Sequence, residues 1–351
     1  MNLFSVARRL LVPIVLIALV ATACGSSSLT GTPVVQPPAT VAPNVLAGVE
    51  GVVDPTNRGW PREVEVLNGL VTIEAKPLRV LTVSLGHDEV VYALLPAEHI
   101  VAVGRFTQTV GQSNVAELAS LVPAIGRDPE QIVAHSPDIV FASPFTKKEL
   151  IESLENAGIT VVQSRLHNDP EGRIADILLM GYILGEELRA VELASEVRDR
   201  YEALRSVVAG KQADSRPRVM STARYSEKLY TAGAGSTEGA IIDAAGGLNV
   251  AAEAGLERNP VIDVEGIIAM SPEVIIITQP LDSAEEYKQD LLNNPALAEV
   301  PAIRDGRVLQ VQPSFFTTLS FWNQRGAEEL ARLLWPDDFA DKEFPPFSFP
   351  E

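Results

Sequence analysis

From Arg62 onward the chain alternates short β-branched runs with longer stretches whose apolar residues recur every three or four positions. The run EVEVLNGLVTIE alternates polar and apolar residues on both sides of Asn68-Gly69, which predicts a hairpin. Residues 78–83, 99–103, 138–142 and 160–163 read as strands. Between and after them, 88–94, 114–121, 129–135, 147–157 and 170–184 read as helices. After residue 210 the pattern restarts, with strands at 218–221, 228–231, 273–278 and 308–311 and helices at 237–245, 264–270, 284–293 and 319–334. Between the two series lies 186–209, EELRAVELASEVRDRYEALRSVVA. Its apolar residues Leu188, Val191, Ala194, Val197, Tyr201, Leu204 and Val208 mark one face of an uninterrupted helix bounded by Gly185 and Gly210. At 1.5 Å per residue it is roughly 35 Å long, enough to act as a strut between two α/β lobes. Alternating strands and helices of these lengths predict a mostly parallel sheet in each lobe, covered on both faces. The expected bounds are 62–185 for the first lobe, 186–210 for the connecting helix, 211–336 for the second lobe and 337–351 for a tail. The tail's FPPFSFPE is broken by proline and is expected on the surface.

An internal echo supports two halves of common origin. From Glu130 the chain reads EQIVAHSPDIVFAS, and from Glu265 it reads EGIIAMSPEVIIIT. Each is an acidic helix start, an apolar core, Ser-Pro, an acid and a β-branched strand. Two such lobes hold a ligand in the crevice between them, on the loops beyond the strand ends.

Composition narrows the partners. The 351 residues carry a formal charge of -18, which argues against nucleic acid or an anionic membrane face. At the start, Arg8 and Arg9 precede an apolar run, 10–20, too short for an ordinary membrane span. Ala21-Thr22-Ala23 then leads to Cys24, the only cysteine. This resembles a lipoprotein leader, 1–23, with Ala21 where Leu or Val is more frequent. It makes Cys24 the lipidation site and leaves no cysteine for a disulfide or a thiolate metal site. Residues 24–61 are expected to form a flexible tether, its first part rich in Ser, Thr, Pro and Gly.

The loops expected to face the crevice carry Ser84, His87, Arg105, Phe106 and Phe145 in the first half. In the second they carry Arg224, Tyr225, Tyr230, Ser236, Phe315, Phe316 and, just inside the last helix, Trp322. Aromatic rings interleaved with arginine suit a flat, partly anionic chelate. Gly233–Gly239, GAGSTEG, lacks both dinucleotide spacing and an acidic ribose partner, so Ser236 or Thr237 is read as a helix cap whose neighbouring N–H groups can face an anion. The histidines, His87, His99, His135 and His167, are scattered, which argues against a carrier of bare zinc or manganese. Tyr225 or Tyr230 could serve as an axial ligand to a haem iron. No Ser-His-Asp order or close carboxylate pair points to catalysis, so the chain is not expected to be an enzyme.

Several segments together resemble one family. They are RVLTVSLGHDEVVYALL, the paired Ser-Pro-acid units, DAAGGLNVAAE at 243–253, NPALAEVPAIRDGRVLQV at 294–311 and a closing helix ending LLWP. Over about 62–336 the chain resembles the substrate-binding lipoproteins of bacterial ABC importers for iron–siderophore, haem and cobalamin uptake. The resemblance implies two Rossmann-like lobes joined by one long helix that limits their motion. It implies a metal chelate as cargo (ferric siderophore, cobalamin or haem) with no cofactor of the protein's own, iron or cobalt arriving only within the ligand. The implied partners are an ABC permease dimer and its ATPase, met by a monomer lipid-anchored outside the cytoplasm. It also implies that Glu130 and Glu265 pair with permease arginines, although a first-turn glutamate is equally favoured by the helix dipole alone. The alternatives are a periplasmic chelatase-like enzyme on a related two-lobe fold, and a tethered ligand sensor or scaffold.

Overall fold

Residues 45–211 and 215–350 are described by a computed structural model; Cys24, the leader and the tether up to residue 44 lie outside them. The Asn68-Gly69 signal forms the antiparallel pair β1 (Arg62–Val66) and β2 (Gly69–Ile73). The five following strands are β3 (Val80–Thr82), β4 (Ile100–Gly104), β5 (Ala124–Ile125), β6 (Ile139–Ala142) and β7 (Thr160–Gln163). They make a wholly parallel sheet in the order β5-β4-β3-β6-β7.

The second sheet is built from β8 (Arg218–Tyr225), β9 (Lys228–Thr231), β10 (Leu248–Asn249), β11 (Val261–Ile262), β12 (Val274–Ile277) and β13 (Val308–Gln310). Its order is β11-β9-β8-β12-β13, with β10 on the first residues of β8. β10, β12 and β13 run parallel to β8, whereas at one edge β9 pairs antiparallel with β8 and β11 antiparallel with β9.

Between the sheets, helix Pro170–Leu184 ends at Gly185, whose φ of 71° turns the chain into helix Glu187–Val208. This long helix buries Ala190, Leu193, Ala194, Val197, Tyr201 and Leu204, the expected apolar stripe moved slightly round. One continuous core joins these residues to the inner faces of both sheets, through Val80, Ile139 and Phe141 on one side and Val219, Val274 and Ile276 on the other. The outer faces have separate cores, closed by helices Pro129–Ala134 and Lys148–Asn156 on the first lobe and Val264–Met270 and Leu281–Asn293 on the second. No helix among the described residues is long and apolar enough to cross a membrane.

The echoed segments superimpose in their bonding. Arg79, just before β3, donates from its guanidinium to the carbonyls of His135 and Ser136, and its N–H donates to Asp138. Arg218, at the start of β8, donates to the carbonyls of Met270 and Ser271, and its N–H donates to Glu273. In return the N–H groups of Asp138 and Glu273 donate to the carbonyls of Arg79 and Arg218, at 2.8 Å in both lobes. Ser136 and Ser271 share a left-handed backbone, with φ of 46° and 45°.

Two expectations are corrected. The last long helix is Asn323–Leu334, not 319–334, because the Thr318 and Ser320 hydroxyls donate to Glu89 of the first lobe and the Ser320 N–H is taken by Thr318 Oγ1. The tail is not loose on the surface. Phe347 is buried edge-on against Phe321 and Trp322, under the Arg200 guanidinium. Arg325 binds the Phe344 carbonyl, and Arg189 binds Ser348.

Candidate functional site

Strand ends of both lobes face a cleft of about 850 Å3. The first lobe contributes Pro144 and Phe145 after β6, and Arg165 to Asp169 after β7. The second contributes Gly233 to Ser236 after β9, and Arg258. Phe145 is 71% exposed, an aromatic ring held out towards the opening. Opposite it, Ser236 caps helix Thr237–Ala244, accepting from Gly239 N at 3.0 Å. Asn168 ties the two walls together: its amide donates to Gly235 O at 2.9 Å and accepts from Thr237 Oγ1 at 2.8 Å.

His167 is the residue here that sequence reasoning missed. Its backbone N–H donates to Asp176 Oδ2 and its Nδ1 meets Oδ1, both at 2.7 Å. The bond to Asp176 raises the imidazole above its ordinary pKa against the opposing effect of burial. A carboxylate on Nδ1 fixes the ring and turns Nε2 towards Glu50 Oε2, 3.7 Å away, both residues lining an adjoining cavity of about 190 Å3. The arrangement depends on Gly172, where a Cβ would come within 2.3 Å of the His167 Cβ. The local signal was His167-Asn-Asp-Pro directly after a strand and before a helix.

A second cavity, about 170 Å3, lies at the ends of β3, β4 and β5, lined by Arg105, Phe106 and Arg127. Ser84 stands beside it, half-buried at the start of helix Leu85–Leu94. Among the described residues Arg105, Arg127 and Arg258 make no ion pair, in a chain with 46 acidic residues. Unpaired guanidinium groups at cavities suit an anionic group on a ligand.

The structure places the remaining candidates elsewhere. His87 is fully buried, bonded through Nε2 to Ser164 Oγ at 2.9 Å and stacked on Phe141. Burial lowers its pKa to about 3, so it is a neutral core residue and not a cleft residue. Phe316 is fully buried and Trp322 is 6% exposed. Phe315 stacks on Trp322 with ring centroids 6.0 Å apart, in the aromatic cluster closed by Phe347 and Phe349. Arg224 is occupied by Asp290, Glu286 and the Tyr287 ring. Tyr225 and Tyr230 meet edge to face at 6.0 Å on the β8–β9 hairpin, outside the cleft lining. Of the residues expected to face the crevice, then, Phe145 and Ser236 line the cleft, and Arg105 and Phe106 line the neighbouring cavity. Glu130 and Glu265 are exposed in the first turns of helices Pro129–Ala134 and Val264–Met270, on the outer faces. No cluster of three or more metal-ligating side chains occurs among the described residues.

A hydrogen-bonded joint lies beside the cleft. Glu89, wholly buried on helix Leu85–Leu94, accepts from Thr318 and Ser320 and from Asn114 N and Nδ2 at 2.9 and 2.8 Å. Asn114 also donates to Ser314 O at 2.7 Å, and the buried Arg173 guanidinium donates to Leu319 O. The loop between β13 and the last long helix is thereby fastened to the first lobe.

Comparison with known proteins follows the same architecture. The profile described as Periplasmic binding protein matches residues 80–314. A cobalamin-binding protein of Halobacterium salinarum is 27% identical over 215 residues, 61% of this chain and 57% of that protein, so the match spans little more than half of the relative. An uncharacterized ABC transporter substrate-binding lipoprotein of Bacillus subtilis, YvrC, is 22% identical over 311 residues, 85% of this chain and 95% of that one. Among solved structures, the periplasmic heme-binding protein RhuT from Roseiflexus sp. RS-1 superposes with a TM-score of 0.65 at 22% identity, covering 74% of this chain and 98% of that one.

Proposed function

The chain belongs to the Periplasmic binding protein family, and on that premise we propose that it is a lipid-anchored carrier delivering a flat metal chelate to an ABC importer. A corrinoid or haem-like ring fits best. The observation that carries this reading is the pairing, in one cleft between lobes, of an exposed Phe145 with an Asp176-oriented His167. The phenyl ring offers a stacking face, and Nε2 can donate its lone pair to a metal once neutral. The volume, about 850 Å3, is in the range of sites for organic ligands and far exceeds the needs of a bare oxoanion. Arg105, Arg127 and Arg258 supply charge for carboxylate or phosphate arms of the ring. A cobalamin-binding relative supports the same ligand class. Cys24 provides the anchor, in keeping with a relative described as a lipoprotein. Glu130 and Glu265, exposed on the two outer faces, meet arginines of the two permease subunits.

The test is visible spectroscopy of the purified protein titrated with aquocobalamin, haemin and a ferric catecholate, with molybdate as a bare-oxoanion control. One chelate should bind at micromolar Kd or tighter. Phe145→Ala should weaken it about tenfold, equivalent to roughly 1.4 kcal/mol. His167→Ala should change the metal's absorption bands, which loss of packing alone would not. Tight binding of molybdate with none of the chelates would overturn the proposal.

A further inference from the structure

The tail, 340–350, leaves the second lobe and finishes against the first. At its near end Arg332 donates to the Lys342 carbonyl and lies over the Phe344 ring, and Arg325 donates to the Phe344 carbonyl. Both arginines belong to helix Asn323–Leu334. In the middle, Phe347 is 3% exposed, edge-on to Phe321 at 4.8 Å and to Trp322 at 5.2 Å. The Arg200 guanidinium of the long helix stands 4.1 Å from its ring centre. At the far end the Ser348 carbonyl accepts from Arg189 Nη2 at 2.6 Å. Through Nε the same guanidinium donates to the Ala93 carbonyl at 2.9 Å, on helix Leu85–Leu94 of the first lobe. Burial of Phe347 alone would serve to cover the apolar surface; the bridge from Ser348 through Arg189 to Ala93 does something that covering does not require.

The position of that bridge relative to the cleft follows from the sheet. β3 runs parallel to β6, after whose end Pro144 and Phe145 line the cleft. Helix Leu85–Leu94 follows β3 and returns the chain to the start of parallel β4, so it begins on the cleft side and points away from it. At 1.5 Å per residue, Glu89 lies about 6 Å and Ala93 about 12 Å along the helix from Leu85. Leu319 lines the cleft, and its neighbours Thr318 and Ser320 bond to Glu89. Phe321 and Trp322, next in the same loop, rest on Phe347. Along the helix axis the order is therefore cleft, Glu89 joint, Ala93 bridge. A rotation about the joint that narrows the cleft separates the lobes at the bridge.

We infer that residues 340–350 are a strap that resists closure of the lobes and sets the resting width of the cleft. Arg325 and Arg332 hold it to the second lobe, Phe347 seats it beside the long helix, and Arg189 fastens its end to the first lobe. Lobes of one chain move relative to each other unless a substantial apolar contact opposes it. The cluster of Phe321, Trp322, Phe347 and Phe349 supplies such a contact on the side away from the cleft. Binding that closes the cleft works against the strap, and release regains that work.

The experiment measures the distance between the lobes in the full chain without any ligand. Cys24, the only cysteine, is replaced as Cys24→Ser, and spin labels are placed through Glu149→Cys and Asp282→Cys. Both are exposed first-turn residues, one in each lobe, on helices that follow β6 and β12. Double electron–electron resonance should show one narrow distribution for this background. Adding Arg189→Ala or Phe347→Ala should shorten the mean separation by about 2 Å or more, the scale of a hinge closure, and broaden it. An unchanged distribution with Arg189→Ala, or one moved to longer separations, would overturn the strap. If Phe347→Ala fails to fold, the Arg189→Ala comparison decides alone. No cargo enters the measurement, so the strap and the carrier reading above stand or fall separately.

Discussion

The two lobes share a frame and differ in what they add to it. β3, β4, β6 and β7 of the first lobe correspond to β8, β10, β12 and β13 of the second, and the Arg79 clamp corresponds to the Arg218 clamp. The first lobe extends its sheet with parallel β5 and gathers Arg105, Arg127, Arg165 and the imidazole of His167 at the strand ends. The second replaces that edge with antiparallel β9 and β11, bringing the Gly233–Ser236 backbone and Arg258 to the cleft. One lobe thus supplies side-chain chemistry and the other mostly backbone and a helix cap. The lesson is that duplication preserved the parts that hold a helix on a sheet, while the cleft was built from the parts that diverged.

The largest expected effect comes from severing the two lobes. Glu89 is the first-lobe acceptor for Thr318, Ser320 and Asn114, and no water-exposed route replaces it. Glu89→Ala leaves several buried donors without a partner and should cost about 4 kcal/mol. Glu89→Gln, which keeps an acceptor oxygen, should cost about half as much. In urea, far-ultraviolet circular dichroism and tryptophan fluorescence should unfold together in the native chain and separate in Glu89→Ala, since of the three tryptophans Trp60 packs on the first lobe, under Arg62, whereas Trp322 and Trp335 both belong to the second. Coincident, undiminished transitions would show that the long helix alone holds the lobes.

A smaller effect distinguishes the lobes by pH. Helix Leu85–Leu94 buries His87, Asp88 and Glu89, whereas the ionisable groups of Thr237–Ala244, in the corresponding place, are Glu238 and Asp243, which keep part of their surface in solvent although burial raises both. Burial lowers His87 to about 3 and raises Asp88 to about 8, the latter despite donation from Thr107 and Gly104. The unfolded chain takes up the His87 proton near 6.5, so stability falls as pH drops from there towards 3. The folded chain keeps the Asp88 proton, a contribution complete below 3.8 and lost as pH rises to 8. Between 3.8 and 6.5 the His87 and Asp88 slopes oppose one another, while the buried Glu89 carboxyl, also raised by burial, adds to the Asp88 slope. From pH 6.5 to 8, Asp88→Asn should remove a loss of roughly 1.4 kcal/mol per pH unit. Urea midpoints across pH for native and variant chains measure it, and identical profiles would reject the assignment.

How much of this was legible in sequence follows from the range of the forces involved. Strands, the long helix and the Ser-Pro echo depend on local period, and Gly185 and Asp169 mark their ends as expected. The cleft depends on which way side chains turn after each strand, and period does not carry that. His87 and His167 both follow strands, but His87 sits in a first helical turn facing the core, whereas His167 is held in a loop by a carboxylate nine residues on. Trp322 reads as a cleft residue because its contact, Phe347, lies in a tail that proline makes look unstructured. Its three phenylalanines in six residues, 344, 347 and 349, were the available signal that it packs.

The smallest effect is the sharpest test of common origin. Arg79→Ala and Arg218→Ala each remove donation to the last two carbonyls of an outer-face helix, worth about 1 kcal/mol in either lobe. Arg218 also pairs with Glu253 at 2.7 Å, but both side chains are more than one-third exposed, so water screens most of that attraction. The two losses should therefore agree within about 0.5 kcal/mol in urea titrations, a margin typical for additive surface changes. Ser136→Gly and Ser271→Gly should act equally and in the opposite direction, because each relieves a left-handed backbone of nearly identical φ. Should Arg218→Ala cost several times more than Arg79→Ala while the serine pair still agrees, the clamp in the second lobe would be holding more than its helix. The adjoining apolar groove behind Met270, whose carbonyl Arg218 binds, would then be the structure it supports.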